Sequence, residues 1–134
     1  MGRNTELRIL LADDDTRVRS ALLTLLAQEM DRLVIRECTD IACLAAEIKT
    51  YKPELVLLDW ELPGRPAAAL LFAFHGLGSK PKVIILSARP EAEKAAMAAG
   101  ADVFVCKGEP PEQLLIRFRE LVQGLGSNGR DSTE

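Results

Sequence analysis

Short, continuous apolar runs recur along this chain, and between them lie longer stretches whose apolar residues fall at helical spacing. Ile9-Leu10-Leu11-Ala12, Leu55-Val56-Leu57-Leu58, Val83-Ile84-Ile85-Leu86 and Val103-Phe104-Val105-Cys106 show no polar alternation, the pattern of strands buried on both faces. Leu33 to Glu37 reads as a further strand. Val18, Leu22, Leu25 and Leu26 make the stripe of a first helix that starts at Asp15-Thr16, with Asp15 as its capping side chain. Asp40 caps a second helix, with Ile41, Leu44, Ala45 and Ile48 inward, and Lys52-Pro53 closes it.

Pro63-Gly64-Arg65-Pro66 reads as a loop, followed by a short third helix from Ala67 to Phe74 that ends near Gly76. Ala92, Ala95, Ala96 and Ala99 stripe a fourth helix that stops at Gly100. Pro111, in the first turn, opens a fifth with Leu114, Leu115, Phe118, Leu121 and Val122 inward. Strict alternation of strand and helix predicts a doubly wound α/β fold, a three-layer (βα)5 sandwich around a parallel sheet in the order 2-1-3-4-5. One domain is expected over residues 7–124. Residues 125–134 lose periodicity in favour of Gly, Ser, Asn and charge, which predicts a disordered tail or the stump of a linker.

Composition narrows the class. The 134 residues are 48% hydrophobic, enough for a real core. A formal net charge of -3 argues against a nucleic-acid-binding domain, which needs a concentrated basic face. The polar N-terminus runs into an apolar run too short for a signal peptide or a membrane span, so a cytoplasmic location and no membrane contact are expected. Cys38, Cys43 and Cys106 are an odd set without a C-x-x-C pair, and His75 is the only histidine. A zinc site is disfavoured, and the thiols read as small apolar fillers in a reducing compartment.

The candidate chemistry lies where the strands end. The first run leads into Asp13-Asp14-Asp15, the third-strand run into Asp59, the fourth into Ser87 and the fifth into Lys107. In a parallel sheet these endings share the edge at which ligands bind. Crowded carboxylates there invite a hard divalent cation, and Mg²⁺ suits an open site that combines carboxylates with phosphate oxygens. Asp59 then reads as the nucleophile of an acyl phosphate, with Lys107 and Ser87 to neutralise and bind the phosphoryl oxygens. Taken singly, such residues are more often caps, structural serines or plain core.

Four motifs in fixed order resemble those of the receiver domain of two-component response regulators. They are Leu10-Leu11-Ala12-Asp13-Asp14-Asp15, Leu57-Leu58-Asp59-Trp60-Glu61-Leu62-Pro63-Gly64, Leu86-Ser87-Ala88, and Gly100-Ala101-Asp102 followed by Phe104-Val105-Cys106-Lys107. The resemblance runs from about Arg8 to Gln123. It implies a flavodoxin-like fold and a signalling domain that catalyses only its own phosphorylation and dephosphorylation. Asp59 would accept a phosphoryl group from a histidine kinase or a small acyl phosphate. Asp14 would bind Mg²⁺ directly and Asp13 mainly through water, with Asp59 and the backbone carbonyl of Glu61 as further ligands. Ser87 and Phe104 would take the switch positions, and Lys107 would pair with phosphate.

The sequence departs from the family after Lys107, where Gly108 replaces the usual proline. A cis bond to a non-proline residue costs about 2.5–4 kcal/mol, so a trans Lys107-Gly108 bond is expected. Glu61 and Arg89, two residues past the phosphoacceptor and the hydroxyl, are expected to pair across the cleft mouth and hinder the hydrolytic water.

The competing reading is a phosphorylation-independent interaction module with the same fold. A haloacid-dehalogenase-like phosphatase is disfavoured because Glu61 stands where those enzymes carry a second Asp. The chain reads equally as a free-standing receiver or as the front part of a regulator with a helix-turn-helix output domain. Homodimerisation through the fourth or fifth helix is a family-level expectation.

Overall fold

The fold, taken from a computed structural model, is described for residues 6–29, 32–64, 66–78 and 80–131. Arg65 of the expected loop, residues 1–5 and residues 132–134 of the expected tail lie outside the described residues. The strands are β1 (Leu7–Ala12), β2 (Leu33–Cys38), β3 (Leu55–Asp59), β4 (Lys82–Ser87) and β5 (Val103–Cys106). The helices are α1 (Thr16–Ala27), α2 (Ile41–Thr50), α3 (Ala67–Phe74), α4 (Glu93–Ala99) and α5 (Pro111–Asp131), with one 3₁₀ turn at Pro90–Ala92 before α4.

The five strands form one parallel sheet in the order β2-β1-β3-β4-β5, as the alternation predicts. Every residue of β3, the central strand, is buried. The sheet separates two cores. Leu10, Val56, Leu58, Val83 and Ile85 pack with Leu44, Leu71, Phe74 and Ala96, from α2, α3 and α4, on one face. Ile9, Leu11, Leu55, Leu57, Ile84, Val103 and Val105 pack with Leu26 of α1 and Leu114 and Phe118 of α5 on the other. Burial on both faces is why these strands show no polar alternation. Parallel register also brings every strand's carboxyl end to one edge.

The capping residues act as the sequence predicts. Asp15 accepts the Arg17 N–H at 2.9 Å and Asp40 accepts the Cys43 N–H at 2.8 Å. Asp40→Ala is therefore expected to cost about 1 kcal/mol, read as a lower urea midpoint with an unchanged slope. Lys52 ends the α2 connection at φ 52 ahead of Pro53, and Gly100 closes α4 at φ 117, a left-handed cap that glycine adopts without a Cβ clash.

Three expectations need correction. Ala95 is exposed, because α4 is covered along a narrow stripe in which only Ala96 and Ala99 are buried, with Ala92 buried in the turn before it. The helix α5 continues to Asp131, past the point where the composition predicts an irregular tail. Propagation of an existing helix fixes one residue per added bond, so weak helix formers can follow a strong start. Finally, Cys38 and Cys43 are joined as a disulfide with Cα atoms 5.6 Å apart, whereas the sequence reading leaves all three cysteines as free thiols; Cys106 is free. Their spacing suits such a bond because one ends β2 and the other lies in the first turn of α2.

Candidate functional site

Asp13 follows the last residue of β1, Asp59 and Ser87 are the last residues of β3 and β4, and Lys107 follows β5. Register pairs Asp59 with Leu86 and Ser87 with Cys106, so the sheet itself aligns them. Asp13, Asp14 and Asp59 present carboxylate oxygens within 4.8 Å of one another. Asp13 and Asp59 are 1% and 4% exposed, whereas Asp14 faces solvent. Two buried carboxylates and one open to water, all oxygen donors, fit a hard divalent cation that keeps part of its hydration shell.

Lys107 supplies the compensating charge. Its Nζ lies 2.8 Å from Asp13 Oδ2 and 3.4 Å from Asp59 Oδ1. Burial alone would pull the ammonium down; the hydrogen bond to Asp13 and the charges of Asp59 and Asp13 outweigh it and raise it above the ordinary lysine value. Burial pushes the Asp59 carboxyl up, and the nearby charges of Asp13 and Glu61 add to this. The Glu61 N–H, donating to Asp59 Oδ1 at 3.0 Å, and Lys107 oppose it without cancelling it.

The Lys107 main chain is held despite the glycine that follows. Its N–H donates to the Ser87 carbonyl at 2.8 Å, and the next turn closes through the Glu109 N–H to the Cys106 carbonyl at 3.0 Å. There is no cis peptide among the described residues, so the Lys107-Gly108 bond is trans as expected.

Glu61 and Arg89 form the expected pair. Arg89 Nη2 lies 3.0 Å from Glu61 Oε2, and both side chains are partly exposed. The sequence gives no sign of what else Glu61 does. The fully buried Ser87 donates its hydroxyl to the Glu61 carboxylate at 3.0 and 3.1 Å and accepts the Arg89 N–H at 3.1 Å. Phe104 stands apart from the acidic group. It is the half-buried second residue of β5, opposite Ile85 and packed against the α2–α4 core.

Arg19, which sequence reasoning passes over, is a further positioning residue. From α1 it donates to the Asp13 carbonyl at 2.8 Å and to Glu37 Oε1 at 2.8 Å, bracing the acidic loop against β2. An arginine six residues beyond Asp13 has no motif of its own, so only the direction of α1 reveals the contact.

Comparisons with known proteins agree with this geometry. The family described as response regulator receiver domain matches residues 9–119. The chain is 31% identical over 118 residues to the Fimbriae Z protein of Salmonella typhimurium, covering 87% of this chain and 56% of that one. It is 27% identical over 123 residues to the oxygen regulatory protein NreC of Staphylococcus aureus, covering 88% and 56%. The chain thus spans a little over half the length of these curated relatives.

Among solved structures, a CheY-like receiver domain protein of Methanospirillum hungatei superposes with a TM-score of 0.77 at 27% identity, covering 90% of this chain and 96% of that one. The signal receiver domain of NarL from Mycobacterium tuberculosis gives 0.78 at 23%, covering 90% and 98%. A DNA-binding response regulator of the LuxR family from Staphylococcus aureus gives 0.74 at 24%, covering 85% and 97%. With the strand order, the acidic edge and a family match over most of its length, the chain belongs to the response regulator receiver domains.

Proposed function

We propose that this chain is a phosphorylation-controlled receiver in which Asp59 accepts a phosphoryl group, from a histidine kinase or a small acyl phosphate, with Mg²⁺ at the acidic edge. The observation that carries this reading is the convergence of Asp13, Asp14 and Asp59 within 4.8 Å, with Lys107 against two of them. Asp14, Asp13, Asp59 and the Glu61 backbone carbonyl would hold Mg²⁺, which when bound supplies positive charge to phosphoryl oxygens. The Glu61 N–H and Lys107 both approach Asp59 Oδ1, so attack on phosphorus is assigned to Oδ2. The donor bond, phosphorus–nitrogen in a phosphohistidine or phosphorus–oxygen in an acyl phosphate, breaks as the bond to Oδ2 forms, and the leaving group takes the electron pair. Peptide mapping after incubation with acetyl phosphate and Mg²⁺ is expected to place the adduct on the Asp59 peptide alone.

Ser87 must exchange the Glu61 carboxylate for a phosphoryl oxygen, since its hydroxyl has one proton to donate. This exchange, with repacking of Phe104, is the proposed switch, read out on the surface of α4, β5 and α5. The Glu61–Arg89 pair partly shields the acyl phosphate from water. Arg89→Ala is expected to speed loss of the phosphoryl group about two- to five-fold, the rate equivalent of the ~0.5–1 kcal/mol an exposed ion pair contributes. A rate no faster than that of the parent, followed by loss of the phosphoprotein mass with time, would count against that role.

The second reading, a phosphorylation-independent interaction module, is favoured by one observation: the Ser87 hydroxyl is already satisfied by an internal carboxylate. Because the curated relatives are longer than this chain, a linked or separate output domain is part of the proposal, with a DNA-binding helix-turn-helix module as its first candidate. Among the described residues no helix is long and apolar enough to cross a membrane.

A further inference from the structure

Cys38 is the last residue of β2 and Cys43 lies in the first turn of α2, so their bond closes the turn between strand and helix. That turn is fastened to both loops of the acidic edge. The Cys38 carbonyl accepts the Asp13 N–H at 3.0 Å. Ile41, between the two cysteines, donates its N–H to the Pro63 carbonyl at 3.0 Å. Its side chain also packs on Gly64, where a Cβ would come within 3.0 Å of Ile41 Cβ. The loop after β1 carries Asp13 and Asp14, and the loop after β3 carries Glu61. Cys38 is 1% exposed and Cys43 is only half-buried, so Cys43 is the residue of the pair that is open to solvent.

We propose that Cys38 and Cys43 are a reversible redox site whose oxidation fastens the β2–α2 turn and, through it, the two loops that carry the acidic site. The oxidant is a small-molecule disulfide. The more accessible Cys43 thiolate attacks one of its sulfurs, forming a mixed disulfide and expelling one thiolate. The Cys38 thiolate then attacks Cys43 Sγ and expels the second. Two protein thiols are oxidised, one small disulfide is reduced to two thiols, and the two protons released by the cysteines are taken up by the leaving thiolates. Reduction by a small thiol runs the same steps backwards. Within cells such pairs are typically transient or redox-sensing rather than structural. The inference goes beyond the phosphotransfer reading, and its readouts need neither Mg²⁺ nor a phosphodonor.

The test uses the native chain equilibrated across ratios of oxidised to reduced dithiothreitol. It is then denatured in excess N-ethylmaleimide and weighed intact. Three labels are expected at the reducing end and one, on Cys106, at the oxidising end, joined by a single transition. Amide hydrogen exchange of the two metal-free forms should then be at least about five-fold slower in the oxidised form at Ile41 and in peptides containing Asp13–Asp15 and Leu62–Gly64, as expected when a local opening is tied shut. Peptides from β4 should exchange alike in both forms and serve as the control. Three labels at the oxidising end, a single label on a residue other than Cys106, or equal exchange in the two forms would each overturn the proposal.

Discussion

Replacing Lys107 with methionine is expected to lower the stability of the metal-free protein by about 3 kcal/mol at neutral pH, the lower end of the cost of breaking a buried ion pair. The lower end applies because the Lys107 side chain is 24% exposed. Its ammonium stands 2.8 Å from Asp13 and 3.4 Å from Asp59, both buried, and methionine keeps most of the unbranched apolar stem while leaving those carboxylates facing each other uncompensated. The folded-state Lys107 value is raised. Its contribution is therefore complete below the ordinary lysine range and fades only as pH rises through the higher folded value. In the variant, the loss should shrink as pH falls and one carboxylate takes up a proton, and added Mg²⁺ should restore part of it. Urea denaturation with and without Mg²⁺ reads both effects. A loss below about 1 kcal/mol, the range of exposed pairs, would mean that the lysine is not what holds this edge together.

Asp59→Asn is expected to act in opposite directions on stability and on chemistry. Burial, with the charges of Asp13 and Glu61, raises the folded-state value of Asp59. A carboxyl whose folded value lies above its unfolded one costs stability when ionised, and the cost disappears as pH falls below the unfolded carboxylate range. Removing the charge should thus stabilise the metal-free fold by about 1 kcal/mol at neutral pH, the low end of what replacing a crowded buried charge yields. At pH 3 the difference should vanish. Meanwhile phosphoryl acceptance should be abolished, because the amide is no nucleophile. Thermal unfolding at the two pH values, beside phosphoprotein mass, checks both halves. A destabilised variant would mean that the hydrogen bond from Glu61 and the contact with Lys107 outweigh the crowding.

The layout of the site was legible because both its causes are local. Continuous apolar runs such as Leu55-Val56-Leu57-Leu58 mark strands with two covered faces, and in a parallel sheet the residue after each run lies at one edge by construction. Asp13, Asp59, Ser87 and Lys107 therefore follow from order along the chain. What escaped the sequence depends on how loops and helices lean. The Ser87 bond to Glu61 needs the loop after β3 to fold back over β4. The Arg19 brace needs the first turn of α1 to lie against the acidic loop. Pairing of Cys38 with Cys43 needs the strand end and the helix start to face each other across a short turn, which an odd cysteine count conceals. Exposure of Ala95 shows the same limit within one helix, since burying or exposing a single methyl group changes the free energy by less than about 1 kcal/mol.

Intact mass after incubation with acetyl phosphate, with and without Mg²⁺, tests the central claim most directly. A single phosphoryl adduct is expected, one that requires Mg²⁺ and is missing from the Asp59→Asn chain. A folded native chain that takes up no phosphoryl group with Mg²⁺ present, or one that takes it up equally well without the cation, would contradict it.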